Sequence, residues 1–191
     1  MQLDNFKKAL EVFRDKVVEE SKKNLRKEKK GGGSLENSIK GGQVKVTERS
    51  LQFEIEMNPY GVFQDKGVKG NDPSKVSPNA KIKGQQAPNS PYRFGSGKTG
   101  NWSGFVKSIE QWAKRKNVRL RDEKGRFTKG NYKSIAHIIA GNIYNRGIKP
   151  SLFFTKAFQK YAKDLPTELE SAFALDTEAF LEFTTKQQLN G

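Results

Sequence analysis

Few side chains of this sequence have types and spacings that could do chemistry. Glu54 and Glu56 stand two residues apart, as paired carboxylates for acid–base work or metal binding would on a strand. They alternate with Phe53 and Ile55, and that alternation assigns them to the solvent face of a strand instead. His137 is the only histidine in a chain without cysteine, whereas a metal site normally draws on about three or four ligands. A place at a core edge or on a helix surface is expected for it. The run from Phe94 to Gly100, FGSGKTG, looks like the end of a phosphate-binding loop. That motif needs a glycine five positions before Gly97, where Tyr92 stands, and no apolar strand leads into it. A flexible loop is the expectation. No catalytic residue, metal site or cofactor is predicted, and no enzyme activity.

The basic residues are more informative. Lys114, Arg115, Lys116, Arg119, Arg121, Lys124 and Arg126 lie close to Trp112 and Phe127. Such a cluster can grip nucleic acid, with charge against phosphate and rings against bases. It can equally be the solvated tip of a hairpin. The chain holds 36 Lys and Arg against 21 Asp and Glu, a net charge of +15. Residues 66–149 contain 19 basic and 4 acidic residues, so the remainder has 17 of each (36 less 19, and 21 less 4). The whole excess is central. Residues 164–191 carry six carboxylates against Lys186 alone. The asymmetry calls for a partner, either a phosphate backbone or the acidic end of a neighbouring copy.

With 191 residues, 34% of them hydrophobic, and a mean hydropathy of −0.83, the chain is lean for a self-sufficient globule. An extended shape, long polar loops or stability drawn from partner subunits is expected. The absence of cysteine excludes disulfides and thiolate metal sites. The first residues form no apolar leader, and no apolar run approaches membrane-spanning length. A soluble protein made in a cytoplasm is expected, with no membrane partner.

Leu3, Phe6, Leu10, Phe13 and Val17 alternate at spacings of three and four and predict a long helix over 3–30, stopped by Gly31–Gly33. A connection, SLENSIKGG, leads to Val44 and Val46, and then to Leu51, Phe53, Ile55 and Met57. The two runs predict a hairpin turning at Glu48-Arg49-Ser50. Asn58–Gly70 reads as a turn with an aromatic pair, Tyr60 and Phe63, followed by Asp65 and Gly67. Residues 69–101 read as a long polar loop. Ser103 is expected to cap a helix with Phe105, Ile109, Trp112 and Ala113 on one face. Residues 118–128 are expected to form a small hairpin turning at 122–125.

The stretch 135–158 has the greatest density of bulky apolar side chains and is expected to be the core. Ile135, Ile138, Ile139 and Ile143 would form one helical stripe, with Gly147 as a left-handed cap. Pro150 would open the next helix, carrying Leu152, Phe153, Phe154, Ala157, Phe158 and Tyr161. Pro166 would interrupt, and Thr167 with Glu170 would form a capping box for a last helix bearing Leu169, Phe173, Phe180 and Phe183. The fold class expected is α+β: a long N-terminal helix, a small antiparallel sheet and C-terminal helices. One domain over 1–191 is expected, with a long basic insertion at about 69–131.

Three short segments carry a resemblance. Leu35-Glu36-Asn37-Ser38-Ile39 follows the glycines. Tyr60 to Val68, YGVFQDKGV, has a tyrosine, an acid and a glycine at a fixed spacing. Gly147 to Phe154, GIKPSLFF, leads into a helix. In these segments, over residues 1–68 and about 132–165, the chain resembles the tail-completion, or head–tail joining, proteins of long-tailed bacteriophages. It departs at Asp65, where the family usually has Glu, at Val68, where it usually has Thr, and at Ser151 and Leu152. The resemblance implies a structural virion protein of the neck, assembled in the host cytoplasm, without chemistry of its own. It implies a homo-oligomeric ring, hexameric or dodecameric, between the portal-side connector and the tail tube. Other neck and tail proteins would be its partners, with DNA passing through the lumen. Leu35, Ser38, Ile39, Tyr60, Phe63, Asp65, Gly67, Gly147, Pro150, Phe153 and Phe154 would hold the motif structure. Lys114–Arg126 would contact nucleic acid or an acidic partner.

Overall fold

The computed structural model describes residues 3–28, 33–47, 50–78, 80–96, 101–121, 124–127 and 130–189. The fold is α+β, with a long N-terminal helix, a two-stranded antiparallel sheet and C-terminal helices. Two compact units divide the chain: residues 1–61 with 151–191, and residues 62–150 between them in sequence.

The first unit is built on α1 (Asp4–Lys27). The three-and-four spacing places Leu10, Phe13 and Val17 on its buried face, and Val18, Ser21 and Leu25 extend that face to the end. The short helix α2 (Ser34–Ser38) lies where a plain connection was expected. The hairpin follows, β1 (Lys40–Val46) and β2 (Leu51–Glu56), paired antiparallel with Val44 opposite Phe53 and an irregularity between Gly41 and Val44. The turn residues Glu48 and Arg49 lie outside the described residues, as do Gly31 and Gly32. α6 (Phe153–Ala162) and α7 (Leu165–Leu189) return along α1. Phe13, Val17 and Ala157 form one buried cluster with Phe53 and Ile55 against it, and Phe13 meets the edges of Phe53 and Phe158 at 5.4 and 5.7 Å.

The second unit pairs α4 (Trp102–Arg115) with α5 (Tyr132–Arg146) around Val106, Ala136 and Ala140. The helix α3 (Tyr60–Lys66) replaces the turn expected there and carries the chain into this unit. β3 (Val68–Lys69) and β4 (Gly147–Ile148) form a two-residue ladder, Val68 opposite Ile148. Among its described residues the polar stretch between β3 and α4 holds a 3-10 turn at Pro73–Lys75, and its backbone is tied down repeatedly. Asn71 N donates to Tyr144 O at 2.9 Å, Gln86 N to Arg146 O at 2.8 Å, and Phe94 N to Lys69 O at 2.9 Å.

Several sequence expectations are corrected. The dense stretch 135–158 is not one core: Ile135 belongs to the central unit, whereas Phe153 and Ala157 belong to the first. The buried face of α5 is Ile135, Ala136 and Ala140, and Ile138 is exposed; small residues win because they let α4 approach closely. On α4, Val106 and Ala113 are buried and Trp112 is exposed. Asn101, not Ser103, caps α4, and Asn131 caps α5 by the same geometry, each carboxamide oxygen accepting a backbone N–H three residues on. α6 starts at Phe153 rather than at Pro150, because Leu152 takes a left-handed conformation (φ 54°) that breaks the helix before it. α7 starts at Leu165, so Pro166 sits in its first turn, where a missing N–H is tolerated. Thr167 therefore lies inside the helix and accepts at its carbonyl from Ser171 Oγ; the Thr167–Glu170 capping box does not form. At the small hairpin expected over 118–128, Arg121 and Phe127 form an antiparallel bridge, with Asp122, Glu123 and Thr128 outside the described residues.

Candidate functional site

The three motif segments meet in two places, one in each unit. In the first unit, Leu35 and Ile39 are buried with Val18, Leu25 and Phe153 in one cluster, and Phe154 packs against it. Polar contacts fix the junction. Ser38 Oγ accepts from Asn58 N at 2.9 Å and donates to Leu35 O at 2.7 Å. The hydroxyls of Ser34 and Tyr60 share a hydrogen bond of 2.7 Å. Asn24 Nδ2 donates to Phe153 O at 3.0 Å, tying the start of α6 to α1. Leu35, Ile39 and Phe153 thus sit in the core, while the Tyr60 ring is exposed.

In the central unit, the glycines of the other two motifs face each other's backbone. Gly67 (φ 72°) has the Ile148 carbonyl and the Pro150 ring where a Cβ would stand. Gly147 (φ 92°) has the Val68 carbonyl there. Only residues without a side chain allow β3 and β4 to close at this point. Ser90 Oγ, buried, donates to Gly67 O at 2.8 Å. Asp65 is buried beside this turn. Phe63 is exposed and meets the edge of Tyr92 at 4.8 Å.

The basic segment is exposed throughout its described residues: Lys114, Arg115, Lys116, Arg119, Arg121, Lys124 and Arg126. Phe127 organises part of it. Its ring carries the guanidinium of Arg121 at 4.3 Å and that of Arg119 at 5.8 Å, and Arg121 Nη1 donates to Gly125 O at 3.0 Å. Stacking on an aromatic face holds a guanidinium in one plane while leaving its edge donors free to reach a phosphate or carboxylate. Lys114 is committed locally to Glu110 at 2.7 Å, and this hydrogen bond holds the Glu110 carboxyl below its ordinary range. Trp112 is exposed one turn away on α4.

The other candidates are not assembled into sites. Glu54 and Glu56 are exposed on β2, alternating with the half-buried Phe53 and Ile55. His137 is exposed on α5. Gly97–Gly100 of the phosphate-loop-like run lie outside the described residues. Among the described residues no group of three His, Asp or Glu side chains could hold a metal ion, and no helix is long and apolar enough to cross a membrane.

No protein-family model, curated protein or solved structure matches this chain.

Four positioning residues escaped the sequence reading. Asp176 is a buried carboxylate that serves α1 from far along the chain, and no local pattern marks it. Gly70 is packed so closely on the carbonyl of Asn145 that a Cβ would collide with it. Asn101 and Asn131 each stand just before a helical stretch, a signal the sequence does carry.

Proposed function

We propose that this chain is a structural subunit of a tailed-bacteriophage neck, a tail-completion or head–tail joining protein that assembles as a homo-oligomeric ring. The observation that carries the reading is the convergence of the motif segments. Leu35 and Ile39 share a buried cluster with Phe153, and Gly67 closes on Ile148 and Pro150, although these segments are distant in sequence. Segments that resemble one family's motifs and that also pack on one another have a common structural reason for their residue types. The charge distribution adds support. Residues 62–150 hold 19 basic and 5 acidic residues, whereas residues 164–191 carry six carboxylates against Lys186 alone, so a head-to-tail ring has oppositely charged segments available on one chain. The reading assigns no catalysis, and DNA would pass through the lumen without being held tightly.

The test is light scattering with negative-stain imaging of the purified chain, alone and mixed with connector and tail-tube proteins. Closed rings with a central hole are expected. No ring under either condition overturns the reading.

A second reading is favoured by one observation, the stacking of Arg119 and Arg121 on Phe127. It makes the central unit a nucleic-acid-binding module. Filter binding over a salt series tests it: affinity that falls steeply with salt and is lost on charge reversal of Arg119, Arg121 and Arg126 is the expected result.

A further inference from the structure

The two ends of α7 are in different circumstances. Along its first half, Leu165, Leu169, Ala172 and Asp176 recur at spacings of four and three, the period of a helix-pairing seam. That seam lies on α1. Lys16 Nζ reaches Glu168 at 2.9 Å and Asn5 N reaches Asp176 at 3.0 Å, so the two helices run antiparallel. Asp176 stands at the N-terminus of α1, and α7 continues to Leu189. At 1.5 Å per residue this is about 20 Å of helix beyond the end of α1.

The seam does not stop where α1 stops. Beyond Asp176 the next bulky apolar residues on this side, four and then three positions on, are Phe180 and Phe183, larger than the Ala172 that packs on α1. Phe180 is 44% exposed and Phe183 59%. In a chain this lean in apolar residues, two phenylalanines continuing a packed stripe into solvent mark a contact surface.

We infer that the overhanging half of α7 pairs antiparallel with the same half of α7 in a second copy of this chain. Two features select that occupant. The exposed seam is continuous with an interface that already pairs helices antiparallel, so its geometry suits another seam of the same kind. Its flanks are also self-compatible. The positions beside the seam are Thr177, Ala179, Thr184 and Lys186, while Glu178 and Glu182 fall on the outer side. With the two-fold axis between Phe180 and Phe183, each Phe180 lies across from the second copy's Phe183. Thr177 then flanks Thr184 and Lys186 flanks Ala179, so no like charges meet. The contact is independent of the neck reading and is distinct from any basic-to-acidic contact within a ring.

Sedimentation equilibrium over a range of concentrations tests it, because the residues involved are exposed and do not hold the fold. The full chain is expected to contain a dimeric contact that Phe180→Ser with Phe183→Ser abolishes, with the circular dichroism spectrum and Tm unchanged. The chain lacks cysteine, so the register can be read directly. Mixed Thr177→Cys and Thr184→Cys copies are expected to cross-link on oxidation, and Thr184→Cys alone much less. A monomer at every concentration overturns the inference. So does an assembly that ignores the phenylalanines but dissociates on charge reversal of Arg119 and Arg121. Rings whose mass is the same with and without the Phe180/Phe183 substitutions would sink this pairing and leave the neck reading standing.

Discussion

Asp176 caps α1 from the far end of the chain through Asn5: its Oδ1 accepts the Asn5 backbone N–H at 3.0 Å and the Asn5 side-chain amide at 2.9 Å. Its Oδ2 accepts the Phe6 N–H at 2.9 Å. The residue before the helix, Leu3, has no side chain able to cap, so a carboxylate 171 positions away satisfies first-turn donors that would otherwise be unpaired. A negative charge there also opposes the positive end of the helix dipole.

Asp176→Ala is therefore expected to lower stability by about 1–2 kcal/mol, roughly 2–8 °C in Tm for a chain of this size. Asp176→Asn keeps one acceptor and should cost less. Thermal unfolding followed by circular dichroism checks both, and an unchanged Tm in Asp176→Ala would remove the cap from the account.

Gly147→Ala should be severe. The position combines a φ of 92° with the Val68 carbonyl standing where the Cβ would go. A loss of about 2–5 kcal/mol is expected. Hydrogen exchange should locate the damage at Val68, Lys69 and the end of α5.

Asn117 ends α4 at a φ of 48° and takes a hydrogen bond from Tyr132 Oη at 3.2 Å. Asn117→Ala is expected to cost about 1–2 kcal/mol, because a side chain with a Cβ and no local hydrogen bond disfavours the left-handed region. Asn117→Gly should lie much nearer to wild type. Denaturant midpoints of the two variants, compared at constant m-value, distinguish backbone strain from the lost Tyr132 contact.

Glu20 and Lys160 tie α1 to α6 at 3.1 Å. The hydrogen bond from Lys160 lowers the Glu20 pKa, and the hydrogen bond to Glu20 raises that of Lys160. A lowered carboxyl contributes stability above its unfolded pKa that is lost as pH falls through the folded one. A raised ammonium contributes stability below its unfolded pKa that is lost as pH rises through the folded one. The pair thus stabilises across the neutral range and fails at both extremes. Stability of Glu20→Gln should vary less with pH on the acid side than that of the wild-type chain, as measured by urea unfolding between mildly acidic and neutral pH.

If the second functional reading holds, Phe127 and its two arginines should separate in a salt series. Replacing Arg119 or Arg121 by Gln should reduce the slope of log affinity against log salt by about 0.9 each on duplex DNA. Phe127→Ala should weaken binding and leave the slope nearly unchanged, because it removes the ring and not the charge. Equal slopes for all variants would argue that these side chains do not meet phosphate.

Local pattern made the long helix, the hairpin and the basic character of the middle legible. The spacing of Leu10, Phe13 and Val17 and the alternation of Phe53 and Ile55 are properties of a helix and a strand before any partner is chosen. The exposure of Glu54 and Glu56 follows from the same alternation. Partnership was less legible. Ile135 and Phe153 look like one core in sequence because both are large and close together, yet Leu152 and Pro150 stand between them and they pack in different units. Trp112 and Ile138 look like core residues, but the close approach of α4 and α5 selects Val106, Ala113, Ala136 and Ala140.

The sequence by itself determined the α+β composition and the central placement of the charge, since each depends only on the residues along the chain. The tertiary structure alone decided that Asp176 caps α1, that Gly67 and Gly147 face each other's strands, and that Phe180 and Phe183 run past the end of α1. Those relationships join residues that are distant in sequence, and their free energy exists only once folding has brought the two groups within hydrogen-bond or van der Waals reach.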